Sequence, residues 1–419
     1  MEYKLRQSIY NYTGYNALSG QHCFPIFVVK QPLYLRSLLC CAMIFFLVSI
    51  IGCQLRSSPT SDSDGILSIT IDAKKDKVSF PLSEIAEKID VIALETNELS
   101  LIRGEIHSVH FLNDHLIVFD FSHRVLVFDM QGNFVRTIGK RGQGPGELYG
   151  PVASIQVDDE KGTVWFGMVD KFVVYDLNGN LVQSKMRDIP TSILEHYYYS
   201  NDSIFHIQAK EEKVSDMEYN IEISYIIRAF SNGDYSKIVL DSLFIWKYEP
   251  WPIPHGFINT IFQHQGQVYM FFSVCCDGVY DYLYVIKNGQ FVPFAKFLVN
   301  STMRGLTVTD RYVAAIHGNI KVSNNAPRPS GILTPEMRAA LRDMPPPEKD
   351  FSYYVHDNKT GKDIHSYHGF IDDIHHTNDI VPINFIDGGE KFFYTREGEW
   401  SEELKCELNP TLYIGTFKK

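Results

Sequence analysis

Short apolar runs separated by polar turns recur along most of the chain, and several of them end in the same way. Val125-Leu126-Val127-Phe128 leads into Asp129-Met130-Gln131-Gly132-Asn133, and Phe172-Val173-Val174-Tyr175 leads into Asp176-Leu177-Asn178-Gly179-Asn180. The two glycines lie 47 positions apart. Runs of this length and composition read as buried strands, and the closing glycine supplies the positive φ that a tight hairpin needs. The signal returns, more weakly, at Ala229-Phe230-Ser231-Asn232-Gly233, at Tyr284-Val285-Ile286-Lys287-Asn288-Gly289 and at Tyr354 to Gly361, giving further spacings of 54, 56 and 72. Each glycine is expected to join the third and fourth strands of a four-stranded unit. Self-similarity at this period, built from strands and Gly turns, points to the blades of a β-propeller.

The glycine signal marks five units, and Asn384 to Tyr394 implies a sixth. That last unit is expected to close against an N-terminal strand, either Leu67-Ser68-Ile69-Thr70-Ile71 or Asp90-Val91-Ile92-Ala93-Leu94. Pairing the two chain ends removes the exposed edges that invite aggregation. The expected fold is all-β, a six-bladed β-propeller of four-stranded antiparallel blades over residues 66–419, with seven blades left open. The longest spacing holds a short helical insert at about residues 325–350. Within it, Thr334 suits an N-cap, Pro335 the first helical position and Glu336 the positive end of the dipole, and Pro345-Pro346-Pro347 stops the helix. Such a helix either lids one face of the ring or decorates its surface.

The front of the chain follows a different pattern. Residues 37–52 are almost wholly apolar and follow Lys30 and Arg36. The run is shorter than the roughly 20 residues of a membrane span. It suits the core of a secretory signal peptide. It ends in Ile50-Ile51-Gly52-Cys53, which resembles the lipobox of bacterial lipoproteins. The resemblance implies that residues 1–52 are removed and that Cys53 is acylated, the alternative being an uncleaved anchor. Residues 53–65 are polar and Ser-rich, with too little apolar surface to fold, and read as a flexible tether.

Charge narrows the partners. After residue 52 the chain carries 35 basic and 49 acidic side chains, a net charge of −14. Such a chain repels phosphate backbones, which argues against nucleic acid. Cys275, Cys276 and Cys406 remain beside Cys53 in that part, at a spacing that fits no zinc pattern, and read as small buried hydrophobes.

Ile138-Gly139-Lys140-Arg141-Gly142-Gln143-Gly144-Pro145-Gly146-Glu147-Leu148 is followed by Pro151 and by a strand ending in Val157-Asp158. This run resembles that of NHL-type propellers and, more closely, a large family of bacterial six-bladed β-propeller lipoproteins of NHL or TolB-like type. Ile92-Ala93-Leu94-Glu95-Thr96 and Leu408-Asn409-Pro410-Thr411-Leu412 extend the resemblance over residues 66–419. It implies an architecture and an envelope location, periplasmic or surface-exposed, rather than a reaction. The glycines do not form a dinucleotide fingerprint, because their spacing is wrong and more strand follows. They read as an inter-blade turn.

Two groups of residues are candidates for chemistry. His365, His368, Asp372, Asp373 and His375, with His376 and Asp379, lie within fifteen positions. His and Asp suit a divalent metal, while a solvated loop is the plainer reading. Tyr248, Trp251 and His255 sit in a Pro-rich stretch that suits stacking on a sugar ring or peptide, or packing between blades. The expected function is a lipid-anchored binding or scaffold module for a carbohydrate, peptide or envelope protein, with no cofactor. The alternative, which resemblance to lactonase-type propellers allows, is a metal-assisted hydrolase or lyase with its site in the channel.

Overall fold

The computed structural model describes residues 66–419 except 73–77, 149–151, 169–170, 187–194, 201–202, 214–220, 232–233, 249–258, 273–279, 300, 302, 322–347 and 387–388. Six sheets follow one another around a ring. Blade 1 comprises Ile106–Leu112, His115–Asp120, Val125–Asp129 and Phe134–Ile138. Blade 2 comprises Val152–Asp158, Thr163–Met168, Lys171–Asp176 and Leu181–Met186. Blade 3 comprises Glu195–Ser200, Ser203–Lys213, Ile221–Ser231 and Asp234–Tyr248. Blade 4 comprises Asn259–His264, Gln267–Phe272, Tyr280–Lys287 and Gln290–Val299. Blade 5 comprises Met303–Val308, Tyr312–Lys321, Glu348–Asp357 and Asp363–Tyr367. Blade 6 takes Asn384–Phe385, Lys391–Arg396 and Thr411–Phe417 from the C-terminal end and Ala86–Ala93 from the N-terminal end. From blade 1 to blade 6, the first strands of successive blades pack on one another, which puts them innermost. The protein is a six-bladed β-propeller.

The turns follow the glycine signal. Gly132, Gly179, Gly289 and Gly361 all have positive φ and join third to fourth strands. Gly233 lies outside the described residues, between the third and fourth strands of blade 3. At Gly132 two demands coincide. Its φ is 88°, and a Cβ there would meet the Ala93 carbonyl oxygen at 2.1 Å. The Asp-x-x-Gly-Asn repeat has its own reason. Asp129 accepts the Asn133 amide at 2.8 Å and the Asn133 side chain at 2.8 Å, and Asp176 accepts the Asn180 pair at 2.8 and 2.9 Å.

Apolar residues on both faces explain why the strands read as continuous runs rather than as alternating ones. Leu116, Val118, Leu126 and Phe128 pack on blade 6, while Ile117, Phe119, Val125 and Val127 pack on blade 2. Blades 4 and 5 share a core through Phe271, Phe297, Val313 and Tyr354, and blades 5 and 6 share one through Tyr353, Val355, Phe392 and Tyr394.

Ring closure decides between the two candidate strands. Ala86–Ala93 pairs antiparallel with Thr411–Phe417, with Ile92 opposite Leu412 and Asp90 opposite Ile414. Leu67–Ile71 does not close the ring. It runs parallel to Gln290–Val299 as a fifth strand on blade 4, Leu67 opposite Ala295. Ile69 and Ile71 then bury in the core between blades 4 and 5. The expected helical insert falls largely outside the described residues. Among those described, the one helical element is the 3-10 turn Leu82–Glu84, and no helix is long and apolar enough to cross a membrane.

Buried titratable groups make the fold acid-sensitive in two windows. His110 lies 3.0 Å from the Ser108 hydroxyl, and His317 lies 2.9 Å from that of Ser301. Burial, helped by the neighbouring His107 and His365 respectively, pushes each down from 6.5 to about 4. The neutral form is thus favoured by folding. The stabilisation is complete above pH 6.5 and is lost as pH falls towards 4, about 2 kcal/mol per histidine by pH 5. Asp357 contributes in a lower window. Burial raises its carboxyl, but hydrogen bonds from Arg311, Thr360 and the Lys359 amide outweigh that and hold it at about 2. Its contribution is present above pH 3.8 and lost as pH falls towards 2. The urea midpoint is expected to fall between pH 7 and 5, and H110Q/H317Q to flatten that fall. An unchanged profile in the double variant excludes these two histidines as its source.

Candidate functional site

The stretch 363–381 forms two turns rather than one. His365 lies on the outer strand of blade 5, its ring edge-on to Tyr354 at 4.8 Å. His368 follows in a left-handed turn at φ 60°, its ring 3.8 Å from that of Tyr367. Gly369 then turns the chain, and Phe370–Ile371 pairs with Ile380–Val381. The intervening loop, Asp372 to Asp379, is tied by the Asp372 amide to the Asp379 carbonyl and by the Asn378 amide to the Asp372 carbonyl.

Asp372 is fully buried at the centre of that loop. Its Oδ1 accepts the His375 amide at 3.1 Å and faces His375 Nδ1 at 3.0 Å. Its Oδ2 accepts the Tyr394 hydroxyl and Arg396 Nη2, both at 2.8 Å. Burial opposes the charge, but the His375 amide, the Tyr394 hydroxyl and the His375 ring keep the carboxyl below its usual range. Arg396 also donates to Thr377 at 2.6 Å and lies 3.3 Å from Asp379. Asp373 points elsewhere and accepts the Ser83 amide at 3.0 Å and its hydroxyl at 2.5 Å.

The structure therefore brings Asp372 and His375 together and gives His365, His368 and Asp373 other partners. Both Asp372 oxygens are engaged, and a cation placed beside them would meet the Arg396 guanidinium. Among the described residues no group of three or more His, Cys, Asp or Glu side chains is arranged to hold a metal ion. The cluster knits blade 6 to a surface turn. Tyr248 ends the outer strand of blade 3. Trp251 and His255, like Cys53, lie outside the described residues.

The glycine-rich run turns from the outer strand of blade 1 to the inner strand of blade 2. Glu147 folds back so that its carboxylate accepts the Gly144 amide at 2.9 Å, where a Cβ on Gly142 would clash. The loop's carbonyls are also taken: Lys171, itself buried, donates to those of Gly144 and Glu147 at 3.0 and 2.5 Å, and the Tyr175 hydroxyl donates to that of Gly146. These amides and carbonyls thus serve the turn and its junction with blade 2.

An open cleft of about 480 Å³ lies where the ring closes, between blades 6 and 1. Ile89 to Ile92 of the closing strand and Ile414 form one wall, with Phe111 and Met130 from blade 1 opposite and Lys391 between them. The cross-strand register explains the mixture. Phe393, Ile414, Leu412 and Ile92 bury in the core between the two blades. Lys391 and Asp90 belong to the same alternating set of positions, where that core runs out. Lys391 Nζ stands 3.9 Å from the centre of the Phe111 ring, a cation–π contact. Asp90 is paired with Lys88 at 2.9 Å. Val91 and Met130 are 51% and 36% exposed at the rim. Sequence reasoning passed over these residues. A lysine heading the apolar run Phe392-Phe393-Tyr394 is a weak signal, and nothing in sequence places it beside Phe111, 280 positions earlier.

Comparison with solved structures agrees with the fold. A Bacteroides fragilis protein described as exported superposes with a TM-score of 0.53 at 14% identity, covering 84% of this chain and 100% of that one. A chain from an S. cerevisiae complex of Dbp5 with Nup159 and Gle1 gives 0.40 at 9% identity, over 84% and 100%. The WD40 domain of SCAP from fission yeast gives 0.30 at 10%, over 79% and 91%. At 14% identity the likeness to the B. fragilis protein concerns the fold alone. No curated protein matches the chain. The model of one family, described as a domain of unknown function (DUF4934), matches residues 66–412, and the chain belongs to that family.

Proposed function

We propose that the protein is a lipid-anchored binding or scaffold module of the bacterial cell envelope that takes a carbohydrate, peptide or protein partner at the seam cleft. The cleft carries this reading. It combines exposed apolar side chains with a cation, whereas the Asp372 cluster and the Gly142–Glu147 turn spend their polar groups internally. A site of this size suits recognition. Residues 37–52 and the Gly52-Cys53 junction support the anchor, and the exported B. fragilis neighbour is in keeping with an envelope location. The binding event needs no cofactor.

Two experiments test it. Cys53→Ala is expected to remove the acyl label and move the protein out of the membrane fraction. Retention of both overturns the anchor. For binding, the full-length protein is applied to glycan and peptide arrays beside Val91→Glu, which places a carboxylate at the cleft rim on an exposed position. Array ligands weakened about tenfold in the variant support the seam, each tenfold being about 1.4 kcal/mol. Ligands that bind both proteins equally place the partner elsewhere.

A further inference from the structure

Resting on that reading of the seam, we infer that the cleft takes a single carboxylate carried on an apolar body, as at the C-terminus of a peptide that ends in an aromatic residue, whose charge sits beside Lys391 and whose body lies against Phe111 and Met130.

Two observations carry this. First, Lys391 is half-buried beside the Phe111 ring, and Asp90, the acid in the lining, is already paired with Lys88. The local balance of Lys391, Lys88 and Asp90 is one net positive charge on a chain that is acidic overall. Second, apart from Lys391 and Asp90 the lining residues are apolar, which favours a ligand with a hydrophobic body over a bare inorganic ion.

The same residues set the charge of the ligand. No arginine lines the cleft, so the planar fork that suits a phosphate or a bidentate carboxylate is absent from it. A single ammonium is a point charge, and the Asp90 carboxylate at the rim opposes a second negative charge. Burial, with the Lys88 charge adding to it and Asp90 acting in the opposite sense, holds the Lys391 pKa below the usual lysine range. Anion affinity is therefore expected to be flat around neutrality and to fall on the alkaline side, earlier than an ordinary lysine would set.

The test is isothermal titration calorimetry of the full-length protein with 4-phenylbutyrate, and with neutral 4-phenylbutyramide as the matched control. The expected result is one site per chain for the carboxylate and at least about tenfold weaker binding of the amide, the difference of one charge-assisted contact. Lys391→Met keeps the apolar stem and is expected to lose about the same factor, and Lys391→Arg to restore most of it. Equal binding of acid and amide, or a Lys391→Met variant that binds as well as the parent, overturns the anion assignment. If array ligands remain sensitive to Val91→Glu while phenylbutyrate does not bind, the anion class falls and the seam stands. If neither responds to Val91→Glu, the seam reading falls too.

Discussion

Leu412→Asp is expected to prevent the ring from closing, leaving a protein without a cooperative unfolding transition. Leu412 is fully buried in the core between blades 6 and 1, opposite Ile92 of the closing strand. An aspartate there must either hold an unpaired charge or take up a proton, and the lost packing adds to the penalty, for a total on the order of 5 kcal/mol. Domains are typically stable by about 5–15 kcal/mol. The location makes the loss general rather than local. The strand pair Ala86–Ala93 and Thr411–Phe417 joins the two ends of the chain, so opening it leaves two unpaired sheet edges and an exposed core. Val91→Asp, on the same closing strand but facing solvent, is expected to change stability by no more than about 0.5 kcal/mol. Circular dichroism with thermal scans and size-exclusion chromatography compare the two. A Leu412→Asp protein that melts within a few degrees of the parent shows that this seam does not hold the ring.

Asp372→Ala is expected to cost about 3 kcal/mol, the scale for removing one partner of a buried ion pair. The carboxylate carries four interactions at once: the His375 amide and ring, the Tyr394 hydroxyl and Arg396. Removing it takes away the Tyr394 hydroxyl's 2.8 Å acceptor and leaves the Arg396 guanidinium with Thr377 and the exposed Asp379. The local consequence is opening of the turn from Asp372 to Asp379, read as faster hydrogen exchange of the His375 amide. Asp379→Ala supplies the comparison, because its carboxylate is 64% exposed and its contact with Arg396 is worth at most about 1 kcal/mol. If both variants unfold at the same urea concentration and His375 exchanges at the parental rate, the buried cluster is not what holds the turn.

The two strands proposed to close the ring show how far a local pattern reaches. Leu67–Ile71 and the segment from Asp90 to Leu94, which overlaps the strand Ala86–Ala93, are both compatible with a sheet edge, and both do pair with one. One joins blade 4 in parallel and the other joins blade 6 antiparallel. The choice depends on which edge each segment can reach and which core its buried face fills. The His and Asp residues between 365 and 379 are a similar case. Their proximity along the chain suggested a common site, but a left-handed turn at His368 and the reversal at Gly369 separate His365 from Asp372. Arg396, which neutralises Asp372, comes from a strand farther along the chain.

The sequence by itself determined the blade repeat, the all-β class and the hairpin positions. These rest on local rules: an apolar run long enough for a strand, and a glycine where φ must be positive. It also set the glycine-rich run as an inter-blade turn, because Gly142 and Gly144 leave room for Glu147 to fold back on the loop. Only the tertiary structure decided which N-terminal strand seals the ring, that Asp372 is committed to Arg396 and Tyr394, and that Lys391 faces Phe111 across a cleft. Each of these depends on closing a loop of tens to hundreds of residues. Its outcome is set by how two blades pack on each other, which no window along the chain contains.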